Sequence, residues 1–269
     1  MIGTKRLGGR VAIVTGAGRG IGYAIARVFA EAGARVIIGE LAAERGMAAA
    51  DRLRTLGYEA HAHELDVRSA ASSQKLMTEV IAQFGRIDIL VNNAGVAIYG
   101  KAEELAETDW RLQIDVMLTG TFLVTQAASR SMIEQRRGSI VNIASVGGMG
   151  GWPLRSGYNA AKAGIINLTQ GLATEWAQHN IRVNCVCPGS TRTEMAEEAV
   201  RAGVASLEIY ANRTPARRLA EVHEIAQAVL FLASDRSSFV TGVNLRVDGG
   251  WVAWGNASGQ GFPPEAVNA

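Results

Sequence analysis

A glycine-rich turn between an apolar strand pattern and a helical pattern constrains the fold of this chain most strongly. The apolar run Val11–Val14 predicts a buried parallel strand. Residues 15–22 follow it with the sequence TGAGRGIG, and residues 23–32 repeat apolar side chains at helical spacing. Glycines let a backbone approach a pyrophosphate, and a helix N-terminus offers it amide hydrogens. The pattern predicts an α/β fold with a dinucleotide-binding turn of G-x-x-x-G-x-G spacing.

Strand and helix patterns alternate along the rest of the chain. Strands are predicted near residues 10–15, 35–39, 60–65, 87–91, 138–144, 181–187 and 243–247, and helices near 20–32, 42–56, 70–84, 103–135 (as one helix or broken), 157–179 and 221–234. The alternation predicts a doubly wound parallel sheet of the Rossmann type, with about seven strands and helices on both faces. No Pro- or Ser-rich linker divides the chain, so residues 1–269 are expected to form a single domain with an irregular tail after residue 250.

Composition excludes several classes of function. With 48% hydrophobic residues and a formal net charge of +2, the 269-residue chain has no global bias toward nucleic acid or membranes. It begins without the apolar core of a signal peptide, and a cytoplasmic location is expected. Cys185 and Cys187 alternate along a predicted strand, which favours two reduced thiols on one face of the sheet. The four histidines are scattered, so no bound metal is expected.

Tyr158 and Lys162 are the candidate proton-transfer pair. Their spacing of four places both side chains on one face of the predicted helix. A phenol titrates near pH ~10 in water, and an ammonium group one turn away is expected to lower the pKa of Tyr158. Ser145 lies thirteen residues earlier, at the carboxyl end of a predicted strand, where open α/β sheets place ligands.

Glu40 bears on the choice of cofactor. It ends the second predicted strand, 18 residues beyond Gly22. An acid at this place can accept hydrogen bonds from the ribose hydroxyls of adenosine, and it repels a 2′-phosphate. Arg19, in the glycine turn, could instead meet a phosphate. We give Glu40 more weight because it stands at the strand end, and the sequence then favours NAD over NADP.

In combination, these motifs resemble the short-chain dehydrogenase/reductase family in its one-domain form, over about residues 7 to 250. They are the glycine turn, Asp66-Val67, Asn92-Asn93-Ala94-Gly95, Ser145, Tyr158 with Lys162, PGSTRT at 188–193 and VDGG at 247–250. The resemblance implies that Ser145 orients the substrate oxygen, that Tyr158 moves the proton and that Lys162 binds the nicotinamide ribose. It also implies a homotetramer.

The resemblance and the motif positions together give the expected cofactor contacts. Asp66 would accept a hydrogen bond from the adenine amino group, with a role at a helix start as its alternative. Asn92 and Gly95 would lie near the adenosine ribose, with turn chemistry as the alternative for Asn92. Thr193 resembles the residue that holds the carboxamide. The full expected set is Gly16, Arg19, Gly20, Ile21, Gly22, Glu40, Asp66, Val67, Asn93, Gly95, Tyr158, Lys162, Pro188, Gly189, Thr191 and Thr193.

One position departs from the family pattern. Relatives usually carry an Asn that holds a water on the proton path to the lysine, in the helix between the fourth and fifth strands. Here the stretch at 115–120 reads DVMLTG, so Met117 takes that place. A thioether is a weak acceptor and cannot hold the water in the same way. Asp115 is two residues away on the helix and is not an obvious substitute.

The substrate site is expected to be lined by residues 96–99, 147–155 and 194–213, with 194–213 as a lid. Ser145, Trp152 and Tyr158 are the candidate substrate contacts, although Trp152 is as well suited to packing. Trp251 and Trp254 would lie either at a subunit interface or in a wall of the same subunit.

Three functions remain open from the sequence. The leading one is an NAD-dependent dehydrogenase of a secondary alcohol, with a polyol or sugar as the first guess. The second is an NADPH-dependent reductase of 3-oxoacyl thioesters, which Glu40 disfavours. The third is a nucleotide-binding regulator with weakened catalysis, supported only by Met117.

Overall fold

Seven parallel strands form one sheet in the computed structural model, which describes residues 6–201, 203 and 205–254. The strands are β1 (Val11–Thr15), β2 (Arg35–Glu40), β3 (Ala60–Glu64), β4 (Ile89–Asn92), β5 (Gly138–Ile143), β6 (Ile181–Pro188) and β7 (Asn244–Val247). Their order is β3-β2-β1-β4-β5-β6-β7, so the direction of winding reverses between β1 and β4. The predicted doubly wound parallel sheet is confirmed, and ligands bind such sheets at the carboxyl ends of the strands beside that reversal.

Helices cover both faces of the sheet. They are α1 (Gly20–Glu31), α2 (Ala43–Thr55), α3 (Ala70–Phe84), α4 (Glu107–Ile114), α5 (Gly120–Gln135), α6 (Ser156–Trp176), α7 (Glu194–Arg201), α8 (Leu207–Arg213) and α9 (Val222–Ala233). One apolar core lies under α1, α2 and α9, and the other lies under α3, α5 and α6. None of the helices in the described part of the chain is long and apolar enough to cross a bilayer.

Strand β1 shows how the sequence specifies this layering. All of its side chains are buried, which explains the apolar run Val11–Val14 that precedes the buried hydroxyl of Thr15. Ala12 and Val14 belong to the first core, whereas Val11 and Ile13 belong to the second. The alternation follows from the two-residue period of a strand. Burial on both faces fixes the register of the strand that leads into the glycine turn.

The structure corrects two predicted elements. The helix predicted near 103–135, whole or broken, begins only at Glu107, and a π-helical turn at Asp115–Thr119 forms the break between α4 and α5. Such turns are frequent at functional sites, and this one carries Met117. The segment 194–213 contains two short helices, α7 and α8, which the sequence patterns did not predict. The tail expected after residue 250 begins with hydrogen-bonded turns, in which the Trp251 amide donates to Asp248 and the Trp254 amide to Gly250. Its remainder lies outside the described residues.

The two cysteines behave as predicted. Both are buried and free, and their Sγ atoms lie 3.8 Å apart on one side of β6. They pack in a small apolar cluster with Met117, behind Tyr158 and Lys162.

Candidate active site

The glycine turn opens the N-terminus of α1 toward a cleft. Gly16 and Gly20 have φ values of 62° and 58°, in the left-handed region that favours glycine. A Cβ on Gly22 would come within 2.3 Å of the Gly16 carbonyl oxygen. Arg19 precedes α1 in an extended conformation, and no side chain caps the helix. The first amides of α1 are therefore available, as binding of a pyrophosphate requires.

Asn93 holds the glycine turn in place. Its Nδ2 atom donates to the carbonyl oxygens of Thr15 and Gly16, both at 3.0 Å. The Thr15 hydroxyl in turn accepts from the backbone amides of Asn93 and Ala94, also at 3.0 Å. The side chain of Asn92 is buried instead, where it donates to Thr125 and Asn142. Asn93 thus lines the cleft, whereas Asn92 ties β4 to its neighbours.

Glu40 sits at the end of β2 with its side chain almost fully buried. It accepts from the amide of Gly18 at 3.0 Å and from the guanidinium of Arg45 at 2.6 Å. Arg19 does not join this group. It pairs with Glu198 of α7 at 2.6 Å, and this hydrogen bond raises the pKa of the arginine. Sequence reasoning missed Arg45, although a basic residue in the first turn of α2 was an available signal.

Two further predicted cofactor residues are already engaged. The carboxylate of Asp66 pairs with Arg68 at 2.7 Å, which lowers the pKa of Asp66. Ser69, rather than Asp66, caps α3. The hydroxyl of Thr193 accepts from the amide of Ala196 at 3.1 Å and so caps the start of α7. Each group still lines the cleft, but a ligand would have to share or displace these bonds.

Helix α6 brings Tyr158 and Lys162 beside Ser145. Lys162 is only 4% exposed, and its Nζ donates to the Ile143 carbonyl oxygen at the end of β5, at 2.7 Å. Ser145 Oγ accepts from the amide of Gly147 at 3.0 Å and lines the same cleft as Tyr158. A serine hydroxyl and a phenol thus converge on one point, as proton transfer to a substrate oxygen requires.

The protonation of Tyr158 differs from the expectation. Burial raises the pKa of Tyr158, while the hydrogen bond with Ser145 and the charge of Arg155 oppose the rise. The Lys162 ammonium lies 5.6 Å from the centre of the phenol ring, so it faces the ring as well as the Ile143 carbonyl. Burial lowers the pKa of Lys162 itself to about 8. The net shift of the Tyr158 pKa is therefore upward, opposite to the expectation, because burial outweighs the groups that favour the phenolate.

Aromatic rings and one arginine form the other end of the cleft. The Arg155 Cζ lies 4.7 Å from the ring centre of Tyr99 and 4.6 Å from that of Trp152. Its Nη2 donates to the hydroxyl of Tyr210, on α8, at 2.6 Å. We call the rings of Tyr99, Trp152 and Tyr210 the aromatic cage. Trp251 packs against Trp152 at 5.2 Å, so it supports a wall within the same chain.

One cleft of about 510 Å³ collects these residues. The full expected cofactor set lines it, as do Ser145 and Trp152, but Asn92 does not, and of the range 147–155 only Trp152 and Arg155 do. Tyr99, Arg155 and Tyr210 line it too. They fall within the predicted ranges but were not singled out from the sequence. Arg155 stands one turn before Tyr158, which was an available signal.

Comparison with known proteins identifies the family. The family model described as enoyl-(acyl carrier protein) reductase matches residues 16–252. The chain belongs to the short-chain dehydrogenase/reductase family. It is an oxidoreductase by this membership, as the resemblance implied.

Several relatives in this family cover nearly the whole chain. A 3-oxoacyl-(acyl-carrier-protein) reductase of Thermotoga maritima is 41% identical, over 92% of this chain and 99% of its own. Galactitol 2-dehydrogenase of Rhizobium johnstonii is also 41% identical, over 93% of this chain and 97% of its own. The solved structure of a gluconate 5-dehydrogenase from Burkholderia cenocepacia, in complex with NADP and tartrate, is 39% identical with a TM-score of 0.88. It covers 93% of this chain and 98% of its own.

Met117 remains the clearest departure from the family pattern. Its side chain is fully buried in the apolar cluster that contains Ile165, Cys185 and Cys187. Its backbone carbonyl accepts from the Thr121 hydroxyl at 2.6 Å. The Sδ atom lies 3.8 Å from where a Cβ on Gly95 would stand, at the floor of the cleft. An apolar side chain thus occupies the place where the family pattern has a polar one.

Proposed function

We propose that this protein oxidises a secondary alcohol, or reduces the corresponding ketone, with NAD as the preferred cofactor. The observation that carries the proposal is that Ser145, Tyr158 and Lys162 share one cleft with an uncapped helix N-terminus and its glycine turn. When bound, the nicotinamide supplies or accepts the hydride. The protein supplies the binding surface and the proton path.

Each catalytic residue has a distinct role in this proposal. In the oxidative direction the Tyr158 phenol oxygen takes the proton of the substrate hydroxyl, and in the reductive direction it returns a proton to the carbonyl oxygen. Ser145 donates to the same substrate oxygen and orients it. The Lys162 ammonium, held by the Ile143 carbonyl, binds the nicotinamide ribose and favours the phenolate. The burial that raises the pKa of Tyr158 makes these favourable charges necessary.

Glu40 supports the preference for NAD. Its carboxylate is fixed by Gly18 and Arg45 at the end of β2, where a 2′-phosphate would meet negative charge. Arg19, the residue that could receive such a phosphate, is paired with Glu198. The NADP in the gluconate 5-dehydrogenase complex is the main argument for the opposite choice.

Cofactor kinetics test this preference. We expect kcat/KM to favour NAD by about tenfold or more, and Glu40→Ala to narrow the ratio because repulsion and ribose hydrogen bonds are lost. Arg45→Met is the matched control, since it removes the cation and leaves the carboxylate, and it should not move the ratio toward NADP. A wild-type preference for NADP would reject this part of the proposal.

A polyol or sugar remains the first choice of substrate, and the galactitol 2-dehydrogenase relative supports it. The 3-oxoacyl reductase relative supports a second candidate function, an NADPH-dependent reductase of 3-oxoacyl thioesters. A panel of polyols, sugars, hydroxysteroids and hydroxyacyl thioesters, each with NAD and NADP, separates the two. Turnover of any of these substrates would also exclude a regulator without catalysis.

Other features of the protein stay predictions. We propose a homotetramer, and the exposed Trp110 and Phe122 on α4 and α5 are consistent with an interface there. Light scattering on the purified protein measures this directly. We also propose a single domain, a cytoplasmic location and a role of residues 194–213 as a lid.

A further inference from the structure

Arg155 differs from the other arginines that line the cleft. Four described arginines line it, namely Arg19, Arg45, Arg68 and Arg155. The first three form ion pairs with Glu198, Glu40 and Asp66. Arg155 has no carboxylate partner in the described part of the chain; its contacts are the aromatic cage and the hydroxyl of Tyr210. A half-buried cation without a counter-charge is costly, and an anion entering the cleft would compensate for it.

The position of Arg155 suits a ligand that also reaches Tyr158. It precedes α6 directly and lies three residues before Tyr158. Burial raises the pKa of both Tyr158 and Tyr99, and the positive charge of Arg155 opposes this rise at each, which agrees with its closeness to the phenol groups. The amide end of α6 adds a positive dipole on the same side. An anionic group at Arg155 and a hydroxyl at Tyr158 can therefore belong to one small molecule.

The aromatic cage holds the Arg155 guanidinium but leaves most of its N–H donors without a hydrogen bond to the cage. Tyr99 and Trp152 lie within 5 Å of Cζ, and Tyr210 accepts only one of the five N–H bonds. The other N–H groups can still bind a planar anion through two parallel hydrogen bonds. The rings also offer apolar surface to the body of a ligand.

We propose that Arg155 binds a carboxylate of the substrate, and that the substrate is a hydroxy acid whose alcohol carbon lies at Tyr158. The inference rests on the proposed function and, within it, favours hydroxy acids, sugar acids included, over neutral polyols and sugars. One guanidinium matches a carboxylate of charge −1. A phosphate of higher charge would favour further cations. Of the others that line the cleft, three arginines are ion-paired, and Lys162 is buried and donates to Ile143.

The competing interpretation is mechanical. Arg155 could simply fasten α8 to the start of α6 through its hydrogen bond to Tyr210. Tyr210→Phe separates the two interpretations, since it removes the accepting hydroxyl and leaves both the ring and the cation. Arg155→Gln removes the cation, and Arg155→Lys keeps the charge but loses the fork of N–H groups.

Binding of a ligand that cannot react provides the test. The probes are cyclohexanecarboxylate and the neutral cyclohexanecarboxamide, added to the full-length protein with saturating NAD. Tryptophan fluorescence reports binding, because Trp152 and Trp251 lie at this end of the cleft. We expect the acid to bind at least about tenfold more tightly than the amide. Arg155→Gln should abolish that ratio, Arg155→Lys should retain part of it, and Tyr210→Phe should preserve it.

Several results would overturn the inference. They are equal binding of acid and amide by the unmodified protein, an unchanged ratio in Arg155→Gln, a ratio lost equally in Tyr210→Phe, and stronger competition by inorganic phosphate than by the carboxylate. The comparison on the unmodified protein stands even if a variant does not fold. Because the probes carry no hydroxyl, binding is measured without turnover. Failure of the proposed function would instead appear as no reduction of NAD or NADP by any alcohol.

Discussion

The cleft has two halves, one beside the glycine turn and one beside the aromatic cage, and they differ in whether backbone or side chains form them. The half that faces the glycine turn uses backbone: amides of α1, the carbonyl oxygens that Asn93 fixes, and glycines whose missing Cβ leaves room. The other half uses side chains from separate segments, which are the aromatic cage, Arg155 and the supporting Trp251. A ligand shared by a whole family can be held by backbone, whereas a ligand particular to one enzyme requires chosen side chains. Changes in the first half should therefore affect nucleotide binding, and changes in the second should affect substrate choice.

The largest expected effect lies where the halves meet. Tyr158→Phe removes the proton donor and acceptor but keeps the ring, so turnover should fall by at least about 100-fold. Nucleotide binding should change little, because the glycine turn is untouched. Tyr99→Phe is the matched control, since it removes a cleft hydroxyl outside the proposed proton path, and it should lose far less. Near-normal turnover in Tyr158→Phe would end the proposed mechanism.

A pair of glycine substitutions tests the contrast directly. In Gly22→Ala the new Cβ would meet the Gly16 carbonyl oxygen at 2.3 Å and Ala17 Cα at 2.9 Å. We expect a loss of about 3 kcal/mol in the free energy of unfolding, or a displaced turn with much weaker nucleotide binding. Gly150→Ala, in the loop that leads to Trp152 of the other half, meets no atom within 4 Å and should lie within about 0.5 kcal/mol of wild type. Denaturant unfolding and NAD titration measure both variants, and equal losses would contradict the contrast.

The residues beside the glycine turn could be predicted from the sequence, whereas the contacts of the aromatic cage could not. The glycine turn, the end of β2 at Glu40 and the Tyr158–Lys162 pair were accessible because local spacing determines them. The contact between Arg155 and Tyr210 joins residues 55 apart in the sequence and depends on where α8 packs, so no local pattern could reveal it. The direction of the Tyr158 pKa was missed for a similar reason, since burial by the whole cleft determines it.

The buried Lys162 lies at the junction of the halves and should make stability depend on pH. Its pKa is lowered from 10.5 to about 8, so below pH 8 the cost of burying the charge is present in full. Between these values the unfolded lysine binds more protons than the folded one, and stability rises with pH. Relative to Lys162→Met, the cofactor-free wild type should gain about 2 kcal/mol between about pH 7 and about pH 9.5.

Denaturant unfolding of both proteins at the two pH values gives this difference. Subtracting the variant cancels the contributions of other titrating groups, which both proteins share. A stability gap that does not move with pH would show that Lys162 is charged in the folded protein over the whole range. The surroundings would then stabilise the Lys162 ammonium by more than its hydrogen bond to the Ile143 carbonyl.

Met117 should give the smallest effect, because it lies beneath both halves and touches the chemistry only indirectly. If an Asn-held water speeds proton exchange in relatives, Met117→Asn should change the pH dependence of kcat while leaving KM nearly unchanged. The site opposes the change, since Met117 is fully buried among apolar side chains and its carbonyl is occupied by Thr121. An amide without a partner there costs about 1–3 kcal/mol, and Met117→Leu, with no polar atom, should cost less than about 1.5 kcal/mol. Profiles of kcat from about pH 6 to about pH 10, a range that spans the lowered Lys162 pKa of about 8, separate the two contributions. Identical profiles for wild type, Met117→Leu and Met117→Asn would show that this enzyme moves its proton without the relay position, and that Met117 serves only to pack the floor of the cleft.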